Sequence, residues 1–178
     1  GGGTIQRSGS GFDSSRTTSS IGAEPTSLPS ATEDAAERMM AATASNEAAS
    51  PDEAFGLAVG RICAFTGWPV GHAYVLPEPA SPRLVSTGIW HAAPSAPFEA
   101  LRAVSMQTTF GRGEGLPGRV WATGRPEWIV DVHLDPDFPR ARLAREIGIR
   151  AAFAFPALAQ DEVVAVLEFF AAAPHAPD

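Results

Sequence analysis

Apolar positions change period along the chain, and each change marks an element. Phe55, Val59, Ile62 and Thr66 recur at helical spacing, with Ala58 beside them. Ser50 is a capping residue, Pro51 suits a first helical turn and Glu53 completes a capping box. Gly67 is placed to stop the helix, which is therefore predicted over 51–66. Residues 70–76 and 84–90 read as two paired strands, joined through the Pro-rich stretch 77–82. A short helix is predicted over 97–105, with Phe98, Leu101 and Val104 inward. A second follows over 116–123, where Leu116 and Val120 share a face and Gly124 ends it. A short strand at 127–130 comes next. A helix over 139–147 starts at Pro139 and stops at Gly148. Leu143, Ala144 and Ile147 point it at the core, with Arg140, Arg142 and Arg145 decorating its outside. Residues 150–158 and 162–170 are the best strands, separated by the hairpin loop Ala159-Gln-Asp161. Neither alternates cleanly, which implies burial on both faces or a partner chain over one of them.

Before residue 50 the pattern fades. Residues 1–30 are rich in Gly, Ser and Thr and cannot bury enough apolar surface to order themselves. Residues 33–44 are Ala-rich with charges and read as a possible short helix. Residues 1–49 are thus a disordered tail or linker, and 50–172 one folded domain. The 178 residues, 44% hydrophobic, suffice for one domain with a real core. The chain lacks an initiator Met, which suggests a piece of a longer protein.

Charge and cysteine usage narrow the function. There are 13 arginines, no lysine and a formal net charge of −7, so there is no overall attraction to nucleic acid or anionic lipid. The single cysteine, Cys63, excludes an internal disulfide framework and a cysteine zinc site. It lies mid-helix and reads as a small buried hydrophobe. No apolar run reaches the roughly 18 residues of a membrane span, and no signal-peptide pattern opens the chain. A cytoplasmic location without membrane contact is the expectation.

Three stretches carry candidate chemistry. Gly111, Gly113 and Gly115 alternate with charged residues ahead of a helix. Without a Gly-Lys-Ser/Thr ending this is no P-loop, although its amides could face an anion; the plainer reading is a tight turn. His72, His91 and Glu168 fall on predicted strands and would suit a divalent metal if all shared one face; otherwise they are ordinary strand residues. The loop 131–137 holds Asp131, Asp135, Asp137 and His133 without the Gly and Glu of an EF-hand, and reads mainly as a turn. No metal or other cofactor is expected.

The order Gly-Glu-Gly-Leu-Pro-Gly-Arg-Val (113–120), Trp-Ile-Val-Asp (128–131), Asp-Phe-Pro-Arg (137–140) and Gly-Ile-Arg-Ala-Ala-Phe-Ala-Phe-Pro (148–156) resembles bacterial GAF domains. The resemblance covers roughly residues 51–172. It implies an α/β domain, more strictly α+β, of GAF/PAS-like type: a central antiparallel sheet with helices on both faces. It also implies a pocket between the sheet and the 110–140 segment. Around that pocket the candidate ligand-binding residues are Trp90, Phe110, Glu114, Trp128, Asp131, His133, Phe153 and Phe155. The implied function is a non-catalytic sensor for an unidentified small molecule, coupled to an attached output domain of histidine kinase or cyclic-di-nucleotide enzyme type. A ligand-free dimerisation module and, less favoured, a small enzyme are the alternatives.

Several branches of the family do not fit. Methionine sulfoxide reductases cycle a disulfide, which one cysteine cannot do. Bilin binders attach pigment through a cysteine beside a histidine in the pocket region. Cyclic-nucleotide binders carry an Asn-Lys-Phe-Asp-Glu set, which a chain without lysine cannot supply. Such domains usually continue into a long C-terminal helix, and residues 173–178 resemble its truncated start. Its absence would bare the sheet over 163–170 and favour a two-fold homodimer through that face and the 50–66 helix.

Overall fold

The computed structural model of the chain describes residues 1–3, 34, 38, 50–92 and 98–174. Helix α1 (Pro51–Thr66) begins where its capping residues place it. The Glu53 amide donates to Ser50 Oγ at 3.2 Å, and Gly67 closes the helix at φ 73° with its amide on the Cys63 carbonyl. There follow β1 (Val70–Val75), β2 (Arg83–Ala92), α2 (Phe98–Gln107), β3 (Phe110–Gly111), α3 (Gly115–Thr123), β4 (Glu127–Ile129), α4 (Ala141–Ile147), β5 (Ala151–Ala159) and β6 (Glu162–Ala171). The strands form one sheet of order β3-β2-β1-β6-β5-β4, antiparallel throughout. The β5–β6 connection is tighter than the predicted loop. Ala159 pairs with Glu162, leaving Gln160 and Asp161 at φ 51° and 68°, the conformation of a two-residue hairpin turn. The two-residue β3 is an addition to the predicted elements; Phe110 pairs with Leu84, and so short a strand leaves no period to read.

Alternation along β1, β5 and β6 sends side chains to two buried faces. On one, Ala73, Phe153, Phe155, Leu167 and Phe169 join Ala58, Val59, Ile62 and Cys63 of α1, with Trp68. Gly71 makes this approach possible, because a Cβ there would lie 2.6 Å from Val59 and 2.7 Å from Phe169. On the other, Val70, Tyr74, Leu84, Ala152, Ala154, Val166 and Phe170 meet Phe98 and Leu101 of α2, Leu116 and Val120 of α3, and Phe138 and Ala144. This second side is the lid face.

The sheet is not left bare. Residues 165–170 are all buried, and over 163–170 only Val164, at 37%, counts as exposed. The expected open patch is corrected on this point: a stack of Trp128, Phe153, Phe155 and Phe169, closed edge-on by Trp68, fills the α1 face. Residues 4–32, most of the helix predicted over 33–44 and residues 175–178 lie outside the described residues. Asp34 and Arg38 are helical and form an i,i+4 pair at 3.5 Å. Among the described residues no helix is long and apolar enough to cross a membrane.

Two glycines make the backbone account testable by urea melts. A Cβ on Gly118 would lie 2.2 Å from the Gly111 carbonyl oxygen, so Gly118→Ala should cost about 2 kcal/mol or more. Gly56 lies within α1 with its nearest non-local atom 3.9 Å away, so Gly56→Ala should stabilise by about 0.5–1 kcal/mol. Equal effects from both would contradict the packing described.

Candidate functional site

The lid face has a polar centre. β6 projects Glu168 onto it between Val166 and Phe170, where the carboxylate is fully buried. A charge there needs a partner. It is supplied from outside the sheet by Arg140, which immediately precedes α4 and is 3% exposed. Arg140 Nη1 donates to Glu168 Oε2 at 3.0 Å and to Ser105 Oγ at 2.9 Å, while Nη2 donates to Glu168 Oε1. The rings of Phe110, Phe138 and Phe170 surround the guanidinium, with centroids 5.2–5.4 Å from its carbon.

The segment before Arg140 is held in place by its own acids. Arg119 of α3 reaches Glu127 at 2.6 Å, Asp135 at 2.8 Å and Asp137 at 3.1 Å. Asp137 also accepts from the Gly115 amide at 2.9 Å. Asp131 pairs with Arg150 and accepts from the His133 amide at 3.0 Å. Arg150 and that amide hold the Asp131 carboxyl below its ordinary range. These carboxylates thus serve the turn.

The glycine loop is equally self-contained. Gly111 N donates to Glu114 Oε2 and Gly113 N to the Gly118 carbonyl. Glu114 also pairs with Arg83 at 2.8 Å, and the Gly111 amide, then Arg83, hold its carboxyl low. The amides of Gly111, Gly113 and Gly115 therefore already have acceptors within the chain, as a tight turn requires.

His72 completes the centre. It pairs in register with Glu168 on one side and Trp90 on the other, and its ring stacks on Trp90 with centroids 4.0 Å apart. Ser86 Oγ accepts from the Gly88 amide and lies 2.8 Å from His72 Nε2, in a hydrogen bond whose direction the imidazole tautomer sets. Its Nδ1 lies 4.0 Å from Glu168 Oε2. Burial lowers the affinity of His72 for a second proton despite the nearby carboxylate. Burial alone would raise the Glu168 carboxyl, but Arg140 overrides it and holds it below the ordinary value. His72 Nδ1, Trp90 Nε1 and Arg140 Nε are buried polar atoms without hydrogen-bond partners.

The structure separates the predicted site residues. Trp90 and Phe110 belong to the lid face, beside this centre. Glu114, Asp131 and His133 lie in the two tied loops, and His133 Nε2 is buried without a partner. Trp128, Phe153 and Phe155 belong to the α1 face, which corrects their placement beneath the 110–140 segment. The reason is strand parity: Phe153 and Phe155 alternate with the lid-facing Ala152 and Ala154, and Trp128 pairs with Phe153. His91 pairs with Gly71 rather than facing Glu168, so His72, His91 and Glu168 do not share a face. Arg140, read as a surface residue, is the one the sequence reading missed. A signal existed: Glu168 interrupts the apolar run 163–171 of a chain without lysine, so a basic partner for it has to be Arg or His.

A six-stranded antiparallel sheet with helices on both faces and a polar centre under one of them is an α+β architecture. A family model for the GAF domain matches residues 48–178, and the chain belongs to that family. Among solved structures, the free methionine-R-sulfoxide reductase of Neisseria meningitidis superposes with TM-score 0.56 at 15% identity, over 80% of this chain and 74% of that one. The GAF domain of a phosphoenolpyruvate-protein phosphotransferase from Coxiella burnetii gives 0.57 at 17% identity, over 79% of each. These likenesses concern the fold. The transcription factor GLABRA 3 of Arabidopsis thaliana is 37% identical over 57 residues, a stretch that spans 31% of this chain and 9% of that protein.

Two measurements test the polar centre. Glu168→Leu leaves Arg140 buried without its counter-charge and should cost about 3–5 kcal/mol, most of it recovered in Arg140→Met/Glu168→Met. Acid should act in two steps. His72 has a lowered proton affinity when folded, so its contribution is complete above its ordinary value of 6.5 and is lost as pH falls below it. Glu168, also lowered, contributes fully above 4.5 and loses that contribution as pH falls further. Melting temperatures from pH 8 to 3 should show both losses, and His72→Gln should abolish the upper one. A flat profile between pH 7 and 5 would rule out the assignment to His72.

Proposed function

We propose that residues 50–172 form a non-catalytic sensor module of a bacterial signalling protein, with a small-molecule ligand on the lid face. The observation that carries this reading is the group of unsatisfied buried polar atoms on His72, Trp90 and Arg140. Unsatisfied groups of this kind are rare in folded proteins and accumulate where something else completes them. Ligand would favour one arrangement of the 131–140 loop and helices α2–α4 over another. That bias would pass through the sheet to α1 and an attached output domain. A histidine kinase of a two-component system or a cyclic-di-nucleotide enzyme is the output class proposed, in a cytoplasmic homodimer.

Catalysis is disfavoured by the position of the one thiol. Cys63 lies in α1 on the opposite face, and burial pushes its pKa up to about 12. The reductase whose fold it shares is therefore a poor guide to activity. A second reading, a ligand-free dimerisation module, is favoured by the protein's own three phenylalanine rings packed around Arg140 beneath the loop.

Native mass spectrometry of freshly purified protein, followed by a thermal-shift screen, distinguishes the two. A co-purified or screened small molecule should bind, and Trp90→Ala should weaken it about tenfold while Trp128→Ala leaves it nearly unchanged. Equal losses would move the site off the lid face. A clean dimer by sedimentation velocity with no ligand of any class would favour the second reading.

A further inference from the structure

The hydrogen bonds of Arg140 leave one edge of its guanidinium unused. Nη1 donates to both Ser105 and Glu168, which occupies its two protons. Nη2 donates once, to Glu168 Oε1, and Nε donates to nothing although it is buried. The carboxylate of Glu168 therefore grips the guanidinium end-on, through Nη1 and Nη2. The remaining Nη2 proton and the Nε proton point the same way, along the side edge. Two parallel N–H donors at that spacing match the two oxygens of a carboxylate. The donors are already desolvated, so an acceptor that reached them would remove an existing penalty. The three phenylalanine rings around the group offer apolar contact to whatever carries the carboxylate.

We propose that the side edge of Arg140 is a docking point for the carboxylate of a small organic acid, so that the guanidinium bridges Glu168 and the ligand. This rests on the lid face being the ligand site and names the class of ligand it takes. Arg140 then does two things with two edges. Its end holds the loop to β6, and its side reports the ligand to that same loop. Glu114 and Asp131 cannot compete for the edge, because each is already paired, with Arg83 and Arg150.

The test is thermal shift of the purified chain with sodium acetate and sodium propionate, against sodium chloride and sodium phosphate at matched ionic strength. The carboxylates should raise the melting temperature saturably, by about 3 °C or more at ten times the dissociation constant, and the controls should not. Arg140→Lys keeps a cation for Glu168 but has no fork, and should lose the carboxylate increment. Should that variant not fold, Arg140→Met/Glu168→Met replaces both charges with apolar groups and should also be blind to acetate. A merely structural Arg140 would lower the melting temperature in Arg140→Lys yet leave the increment intact, which would overturn the proposal. So would a response to phosphate or chloride equal to that of acetate. If a different class of molecule binds wild type and Arg140→Lys alike, the carboxylate site is lost while the sensor reading survives.

Discussion

The buried ion pair between Arg140 and Glu168 is the constraint on which the rest of the lid face depends. A carboxylate in the middle of a sheet, with aromatic neighbours, would cost several kcal/mol if left alone. Its neutralisation requires a residue from another layer, so the chain leading to α4 must come down onto β6. That single requirement explains why the 131–140 loop is so thoroughly tied. Arg119 gathers Glu127, Asp135 and Asp137, and Arg150 takes Asp131, each contact restricting where Arg140 can start. The surface pairs are individually weak; together they define the approach of one buried side chain.

The two faces of the sheet do different jobs. On the α1 face, small residues and stacked rings fill the space, and Gly71 lets the helix lie directly on β1. On the lid face the packing is interrupted by a polar group whose hydrogen bonding is incomplete. Those unpartnered groups are where the proposed ligand would complete the hydrogen bonding. The glycine loop on the lid side closes on itself: Gly118 packs against the Gly111 carbonyl, and the loop amides already have acceptors.

Element order and the family were legible in the sequence, because periodicity, caps and the ordered motifs are local properties. Ser50 and Gly67 bound α1 through neighbours four residues away or fewer. The apolar runs of β5 and β6 announced burial on both sides, and both faces are indeed covered. Which residues meet at the site was a different matter. Phe153 and Phe155 look like pocket walls from their position after the loop, yet strand parity turns them to the α1 face, and one residue of register would have turned them back. Arg140 looks like its neighbours Arg142 and Arg145, and differs only because it is the last residue before the helix, pointing down. Local pattern was enough for two long apolar strands joined by a hairpin, but it left Glu168 as either a metal-ligand candidate or an ordinary strand residue. That Arg140, of 13 arginines, neutralises Glu168 follows from how the loop is folded over the sheet, because the pair joins residues 28 positions apart and no local pattern encodes that path.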